Sequence, residues 1–372
     1  MSISKRGDSW RARYYGPDGR QRNKSFTRKS DAERWLNQQQ NNVIKGDWID
    51  PARGRIVLVD FLPHWEGTRA TRKPKTRYQQ DSVLKLHVMP TWGSVRLDRI
   101  TFEGLTEWVA KLTANSVGWS SIRQAVRVMS AILDHAVRTG RIRSNPAKGL
   151  ALPRPVRRDH VFLTHAELAA LAAAAGANRV LVLLLGYTGL RWGEATALRV
   201  CDIDLVRRRI DVRRAFSDVS GKLILGTPKS HHGRSAPIPR FLAARLAVLI
   251  DGKRPDDLVF TAPSGAPLRL SNWRRSVFLP ACQLTATSER FRIHDLRHTA
   301  AALMIQAGYP PKMLQEILGH ASITTTLDLY GHLYPGDMDK YADRLGDAAT
   351  DAEADDEAKT RPEDEGDDPV GS

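Results

Sequence analysis

The chain is poor in cysteine and has no long apolar run. Its 372 residues include only Cys201 and Cys282, too few for a disulfide framework and without the spacing of a metal site. The richest apolar stretch, residues 180–185, is far shorter than the roughly 18 residues that a membrane helix needs. Neither a secretory signal nor an internal repeat is visible. We therefore expect a reduced, intracellular protein without membrane contact.

Acidic residues are concentrated at the end of the chain. The net charge is +16, but residues 347–372 carry eleven Asp and Glu against only Lys359 and Arg361. That segment has a net charge of −9, which leaves +25 on residues 1–346. Such a basic body is expected to bind a polyanion, because neutralising phosphates releases condensed counterions. The alternative is a basic surface that serves only solubility.

The first fifty residues have the pattern of a small sheet backed by one helix. Apolar and basic residues alternate from Trp10 to Tyr14, which is the period of a half-buried strand. Residues 16–19 predict a turn, residues 20–27 a second strand and residues 30–33 a capping box that opens a helix. A basic sheet of this kind can enter a DNA major groove. The expected DNA contacts are Arg11, Arg13, Arg20, Arg22 and Lys24. The alternative is a short structural extension.

A linker is expected over residues 51–58 and a helical domain over residues 59–148. A length of 372 residues itself suggests two or three domains. Apolar residues recur at three-to-four spacing in four segments of the helical domain. These segments are residues 59–65, 76–88, 101–112 and 120–139. Arg123 and Arg127 on the last segment are the expected DNA contacts. Prolines predict a second linker over residues 149–159.

The rest of the body, residues 160–346, changes from helical to β patterning and back. Thr164 and Glu167 form a second capping box that opens a helix. Strands are expected over residues 209–212, 223–225 and 236–238. The acidic tail, residues 347–372, lacks aromatic residues and is expected to be disordered. The sequence thus predicts a multidomain fold that is mainly α with small β-sheets.

A first motif, Thr-Gly-Leu-Arg-Trp-Gly-Glu, places Arg191 three residues before Glu194. Phosphodiester transfer without a metal requires a nucleophile, positive charge on the non-bridging oxygens and a proton donor for the leaving hydroxyl. Arginine suits the second task, because its planar guanidinium grips phosphate oxygens in pairs. Glu194 can orient Arg191. Taken alone, the two residues could equally form a surface ion pair.

A second motif, His-Asp-Leu-Arg-His, covers residues 294–298. His294 and Arg297 lie one helical turn apart, so both can point into one cleft. His298 is four residues after His294, a spacing that also permits a metal site. The glutamate base of a metalloprotease is missing, however, and no third ligand is indicated. We interpret His298 as a core or supporting histidine and expect no metal.

A third motif contains a histidine and a late tyrosine. His320 follows an expected helix end and suits a phosphate-facing role, because histidine exchanges protons near neutral pH. Tyr330 needs nearby positive charge to become a nucleophile, since the pKa of tyrosine is about 10. An isolated tyrosine is usually a core or interface residue. The ordered series of Arg, His-x-x-Arg, His and Tyr favours a catalytic one, with Tyr334 as the competing nucleophile.

Lys229 lies in Thr-Pro-Lys-Ser, a candidate hairpin connection between two predicted strands. In that place it could protonate a departing 5′ oxygen, although a lone loop lysine is usually exposed to solvent. His231, His232 and Arg234 follow closely, and we expect them to touch phosphate if they have a role.

Together these motifs resemble the tyrosine recombinase (phage integrase) family over roughly residues 56–345. Residues 1–50 resemble the arm-type DNA-binding domain of integrases from actinobacterial phages. The resemblance implies a helical core-binding domain over residues 59–148 and a mixed α/β catalytic domain over residues 160–346. It also implies a site-specific recombinase that is enzymatically active and that integrates and excises phage or mobile-element DNA.

The resemblance further implies a role for each motif residue. Arg191 and Arg297 would stabilise the scissile phosphate, Lys229 would be the general acid and Tyr330 the nucleophile. His294 would be a general base or proton shuttle, His320 would hydrogen-bond the phosphate, and Glu194 would support Arg191. The reaction would pass through a 3′-phosphotyrosyl link and a Holliday junction, with no cofactor. The implied partners are core and arm DNA sites, a homotetramer, a host DNA-bending factor and an excisionase, in the nucleoid of a bacterial cytoplasm.

Three other functions stay open at this point. A type IB topoisomerase shares the chemistry, but the two N-terminal binding modules argue against it. A basic DNA-binding protein without chemistry predicts binding that survives Tyr330→Phe and no covalent adduct. A transposon or chromosome-dimer resolution recombinase differs mainly in its DNA partners, and residues 1–50 favour the phage function.

Overall fold

A computed structural model gives the fold, and it describes residues 1–45, 48–50, 52–154, 161–228, 233–288, 290–334 and 338–360. Within these ranges the chain is mainly helical with small antiparallel sheets, which confirms the predicted fold class. It divides into two compact units, residues 1–158 with 218–222 and residues 159–217 with 223–372. Across the described ranges no helix is long and apolar enough to cross a membrane.

The N-terminal module is a three-stranded antiparallel sheet that packs against one helix. Its elements are β1 (Ser2–Arg6), β2 (Ser9–Tyr15), β3 (Gln21–Phe26) and α1 (Lys29–Ile44), and the strands pair in the order β1-β2-β3. Ala12 and Tyr14 are buried, and the Tyr14 ring meets Trp35 of α1 edge-on at 5.4 Å. The predicted β2 and β3 are confirmed. β1 was not predicted, because its only apolar residue is Ile3.

Four of the five predicted DNA contacts of this module lie in strands and do not share one face of the sheet, and Arg20 directly precedes β3. Arg11 and Arg13 alternate with the buried residues of β2, so they lie on the face opposite to the core. Arg22 and Lys24 pair across the strands with those buried residues and lie on the core-side face. Arg22 is held there by the carboxylates of two aspartates, at 2.7 and 2.9 Å. The geometry favours Arg11 and Arg13 as DNA contacts and disfavours Arg22 and Lys24.

A helical bundle follows this module. Its helices are α2 (Leu58–Glu66), α3 (Pro74–Val83), α4 (Met89–Trp92), α5 (Phe102–Ala114) and α6 (Trp119–Arg138). A π-helical turn, Leu84–Val88, joins α3 to α4 just before Pro90, which has no backbone N–H to continue the α-helical ladder. Along α6 every third or fourth residue is buried, as predicted. Arg127 is exposed on α6, and Arg123 lies beside the Trp119 ring at 5.8 Å.

The remaining elements position the site. The helices are α7 (His165–Ala174), α8 (Arg179–Thr188), α9 (Trp192–Ala195), α10 (Arg240–Ile250), α11 (Leu270–Trp273), α12 (Leu279–Leu284), α13 (Asp295–Gln306), α14 (Pro311–Leu318), α15 (Ile323–Tyr330) and α16 (Met338–Thr360). The strands are β4 (Ile203–Asp204), β5 (Arg209–Val212), β6 (Ala215–Val219), β7 (Lys222–Gly226) and β8 (Arg234–Pro237). Strands β4, β5 and β8 form one antiparallel sheet, and β6 pairs with β7. α8 and α13 pack on each other at the centre.

The two predicted capping boxes have different outcomes. The Thr164 hydroxyl accepts a hydrogen bond from the Glu167 backbone N–H at 3.2 Å, and the Glu167 carboxylate accepts one from Thr164 N–H at 2.7 Å. This box is confirmed as the start of α7. The box at residues 30–33 is wrong, because α1 already begins at Lys29 and no side chain caps it.

The predicted disorder of the acidic tail is corrected over part of its length. α16 continues past Gly346 to Thr360, so residues 347–360 are helical. This stretch contains five alanines and neither glycine nor proline. Alanine is the strongest helix former, which offsets the like charges in the segment. Residues 361–372 lie outside the described ranges.

Candidate active site

A left-handed turn between α8 and α9 places Arg191. Gly189 ends α8 with a φ of 64°, and a Cβ on it would lie 2.6 Å from a Leu318 methyl carbon. Glycine therefore satisfies both the backbone conformation and the close packing. Arg191 then stands directly before α9, where its backbone N–H and its Nη1 both donate to the Glu194 carboxylate at 2.9 Å. The predicted pairing of Glu194 with Arg191 is present in the structure.

Glu194 is the centre of a buried ion network. Its side chain is 1% exposed, and besides Arg191 it accepts hydrogen bonds from Nη1 and Nη2 of Arg234 at 3.0 and 2.6 Å. Arg234 Nε also donates to the Ile317 carbonyl at 2.8 Å. Burial tends to raise the pKa of Glu194, but the hydrogen bonds and charges of Arg234 and Arg191 outweigh it and hold the pKa at about 2. Glu194 is thus a carboxylate that fixes two arginines.

Arg234 was predicted to touch DNA, but the structure gives it another task. Its side chain is only 8% exposed, and it joins β8 to α9 and to the end of α14. A Cβ on Gly319 would come within 2.9 Å of the Arg234 side chain, so the glycine also makes room for it. A phosphate contact would require these bonds to break. Arg234 is turned away from DNA because it pairs with the buried Glu194, and the sequence pattern does not show that Glu194 lies beside β8.

Arg297 lies in the first turn of α13 and is buried. Its Nη1 donates to the Gly189 carbonyl at 2.5 Å, and its Nη2 donates to the Leu318 carbonyl. Burial, and then the positive charges of Arg191 and Arg234, lower the pKa of Arg297 to about 9. The guanidinium is therefore short of negative partners, which suits it to bind an anion.

His320 follows the left-handed Gly319 that ends α14, as the sequence predicted. Its Nδ1 lies 2.9 Å from the hydroxyl oxygen of Thr326. Burial lowers its pKa to about 4, with further lowering by the charges of the surrounding arginines and His294. At such a pKa the imidazole is uncharged near neutral pH, and it can serve as a hydrogen-bond donor or acceptor.

Tyr330 is the last residue of α15 and is 1% exposed. Its hydroxyl lies 2.8 Å from Nδ1 of His298, which is also buried. Burial raises the pKa of Tyr330 to about 12, while the charge of Arg297 opposes this rise. The sequence interpretation missed the His298–Tyr330 contact. One sequence signal could have indicated it, because His298 directly follows Arg297, a residue already assigned to the phosphate.

The other predicted residues lie at the edge of this cluster or outside the described ranges. His294 is exposed directly before α13, with its ring 5.1 Å from that of His298. Tyr334, the competing nucleophile, donates its hydroxyl to the Tyr309 carbonyl at 3.3 Å. The described residues contain no cluster of three His, Cys, Asp or Glu side chains suited to hold a metal ion. Lys229, His231 and His232 lie outside the described ranges.

Three family models match the chain over most of its length. Residues 161–336 match the phage integrase family, residues 4–45 the phage integrase N-terminal domain, and residues 57–113 the phage integrase N-terminal SAM-like domain. The chain belongs to the phage integrase family of tyrosine recombinases. It is an integrase of a phage or other mobile element, an enzyme that cleaves and rejoins DNA, which confirms the resemblance found in the sequence.

The integrase is similar to several known proteins. A putative prophage phiRv2 integrase of Mycobacterium tuberculosis is 29% identical over 343 residues, which cover 88% of this chain and 89% of the relative. The Tn1549 transposon integrase, solved in complex with transposon right-end DNA, has a TM-score of 0.69 at 21% identity and covers 78% of this chain and 100% of that one. A lambda integrase tetramer bound to a Holliday junction has a TM-score of 0.57 at 20% identity, and the match covers 88% of this chain and 94% of that one. These two structures support the fold.

Proposed function

We propose that the integrase cleaves DNA with Tyr330 and keeps the broken strand as a 3′-phosphotyrosyl link. The Tyr330 oxygen attacks the phosphorus, the bond to the 5′ oxygen breaks, and the 5′ oxygen takes a proton from Lys229. A 5′-hydroxyl of another strand then attacks the link and releases the tyrosine. The phosphodiester energy is stored in the link throughout, so neither ATP nor a cofactor enters the scheme.

The convergence of Arg191, Arg297, His320 and Tyr330 carries this proposal. These residues come from separate motifs, yet Arg191 and Arg297 donate to the carbonyls of Gly319 and Leu318, directly before His320. The Tyr330 hydroxyl meets His298, the residue that follows Arg297. Each arginine retains N–H donors beyond the bonds described above, because a guanidinium has five. We assign the non-bridging phosphate oxygens to Arg191 and Arg297, with a hydrogen bond from the neutral His320. This placement favours charge build-up on the phosphate during attack.

The supporting residues follow from the same network. Glu194 and Arg234 hold Arg191 and the end of α14 in place, and we assign neither of them to DNA. His294, exposed at the start of α13, faces the solvent side as a proton shuttle. Lys229 keeps its predicted role as general acid, since it follows β7 and precedes β8 in the chain.

The DNA contacts outside the catalytic residues are proposed on two surfaces. Arg11 and Arg13 lie on the face of the N-terminal sheet opposite to its core, which suits a major groove. Arg123 and Arg127 on α6 would contact the phosphates flanking the cleavage site. We propose residues 1–50 as the arm-binding domain, 59–148 as the core-binding domain and 160–346 as the catalytic domain.

The partners of the integrase are proposed from its family. It would act on double-stranded core and arm sites as a homotetramer, the assembly seen for lambda integrase on a Holliday junction. A host DNA-bending factor and an excisionase would set the direction of the reaction. The place of action would be the nucleoid in the cytoplasm of a bacterial host.

Covalent trapping tests the proposed function. The wild type is incubated with labelled supercoiled plasmids, whose inserts together cover the DNA flanking its own gene. The reaction contains EDTA and no ATP, and it is quenched with detergent. We expect a protein–DNA adduct that Tyr330→Phe abolishes and Tyr334→Phe retains. Tight DNA binding with no adduct from the wild type would contradict the proposal and favour a non-catalytic DNA-binding protein.

A further inference from the structure

The nucleophile proposed above has a buried histidine as its hydrogen-bond partner. The Tyr330 hydroxyl lies 2.8 Å from His298 Nδ1, and the two rings are tilted by 57° with centroids 5.7 Å apart. His298 lies in the first turns of α13, directly after Arg297. The contact therefore joins the phosphate-binding helix to the helix that carries the nucleophile.

The chemistry of a buried phenol requires such a partner. Burial raises the pKa of Tyr330 to about 12, so the phenol keeps its proton at neutral pH. Its oxygen becomes a good nucleophile only if the proton leaves as the bond to phosphorus forms. Tyr330 is 1% exposed, so bulk water has little access to take this proton. A neutral imidazole nitrogen at hydrogen-bond distance is a base that can accept this proton.

We propose that His298 is a further catalytic residue, whose Nδ1 accepts the proton of the Tyr330 hydroxyl during attack on the phosphate. The inference rests on the proposed function, in which Tyr330 is the nucleophile. It assigns the resting proton of the His298 ring to Nε2, which leaves Nδ1 as the acceptor. The partner of the competing tyrosine supports the assignment, because the Tyr334 hydroxyl meets a backbone carbonyl, which is no base.

The cleavage step balances with two proton transfers. The bond between Tyr330 Oη and phosphorus forms, and the bond between phosphorus and the 5′ oxygen breaks. The phenol proton passes to His298 Nδ1, and the Lys229 ammonium proton passes to the 5′ oxygen. In the rejoining step the imidazolium of His298 returns its proton to Tyr330 as the attacking 5′-hydroxyl gives its own to Lys229. His298 ends each cycle neutral.

Two substitutions separate proton acceptance from placement of the tyrosine. His298→Asn keeps a hydrogen-bond acceptor near the position of Nδ1 but removes the base, and His298→Ala removes both. The chain offers a matched control, because His165 Nδ1 lies 2.9 Å from the hydroxyl of Tyr187, a second His–Tyr pair. His165→Asn makes the same chemical change at a pair that is not assigned to the reaction, so it should leave the cleavage rate near that of the wild type.

The test measures the rate of adduct formation on a fragment to which the wild type becomes attached. We expect His298→Asn and His298→Ala to lower this rate by about 10²- to 10⁴-fold, the usual contribution of general acid–base catalysis. Both variants should keep the DNA affinity and the melting temperature of the wild type. The same fragment is then made with sulfur in place of the bridging 5′ oxygen, a leaving group that needs no proton. This substrate should rescue Lys229→Ala but not His298→Asn.

The outcomes distinguish this inference from the function on which it rests. A rate for His298→Asn within about threefold of the wild type would reduce His298 to a hydrogen-bond acceptor and overturn the inference alone. Rescue of His298→Asn by the sulfur substrate would mean that His298 protonates the leaving 5′ oxygen, and this result would also overturn the inference. The absence of any adduct from the wild type would overturn the proposed function together with this inference.

Discussion

Replacing Arg234 with methionine is expected to destabilise the integrase strongly, although the arginine carries a charge on a DNA-binding protein. Methionine keeps much of the apolar stem and removes the guanidinium. Glu194, 1% exposed, then loses two hydrogen bonds of 3.0 and 2.6 Å and keeps only its bonds to Arg191. Removing one partner of a buried ion pair costs about 3–5 kcal/mol, because the other charge stays buried without compensation.

The pKa of Glu194 gives a second route to this magnitude. The network lowers the pKa from 4.5 to about 2. At roughly 1.4 kcal/mol per unit, the shift corresponds to about 3 kcal/mol of stability above pH 4.5, which Arg234 and Arg191 contribute together against the cost of burial. Because the folded pKa is the lower one, this contribution is present above the unfolded pKa and is lost as the pH falls from 4.5 to about 2. The stability difference between the wild type and Glu194→Gln should shrink over this window.

Equilibrium unfolding of the full chain in urea at pH 7 measures the effect. The matched control is Arg207→Met, which removes an 84% exposed arginine from an ion pair of 3.9 Å with Asp204. An exposed pair of this kind contributes about 0–1 kcal/mol. In a double-mutant cycle, Arg234→Met combined with Glu194→Gln should cost less than the sum of the two changes, by about 2–3 kcal/mol. A loss for Arg234→Met as small as that for Arg207→Met, without coupling to Glu194, would show that the buried ion pair does not stabilise the fold.

Two further predictions follow from the geometry. Gly189→Ala should cost about 1–3 kcal/mol more than Gly7→Ala in the same urea assay, because both glycines have positive φ but only a Cβ at residue 189 meets a neighbour, 2.6 Å away. Equal losses would show that the packing at residue 189 can relax. Arg13→Ala should weaken binding to arm-site DNA and reduce the salt slope of log K by about one, whereas Lys24→Ala, on the core-side face of the sheet, should change the slope less. A larger change for Lys24→Ala, measured by titration at several salt concentrations, would place the DNA on the other face.

Residues with a local sequence signal are predicted well, whereas contacts between residues that are far apart in the chain are not. Arg191, Glu194 and Gly319 carry local signals, namely a three-residue spacing and a glycine at a helix end, and the structure places all three as expected. Arg234 was misassigned because its partner Glu194 lies forty residues earlier in the chain. The contact of His298 with Tyr330 spans thirty-two residues, and no local period encodes such a distance.

The secondary structure shows the same limit. Long amphipathic segments such as α6 were predicted well, because burial repeats along the whole helix. The short strands β1, β4 and β6 were missed. β1 has one apolar residue, β4 spans two residues, and β6 does not alternate apolar and polar residues. The helical part of the tail was missed because strong acidic charge suggested disorder, whereas its alanines favour a helix.

Mapping the residue that becomes attached to DNA tests directly whether Tyr330 is the nucleophile. The wild-type adduct is digested with protease and nuclease, and the peptide that carries the nucleotide is sequenced by mass spectrometry. We predict a nucleotide 3′-phosphate on the oxygen of Tyr330, in the peptide that ends α15. Attachment to Tyr334 or to any other residue, or a 5′-phosphate link, would contradict it.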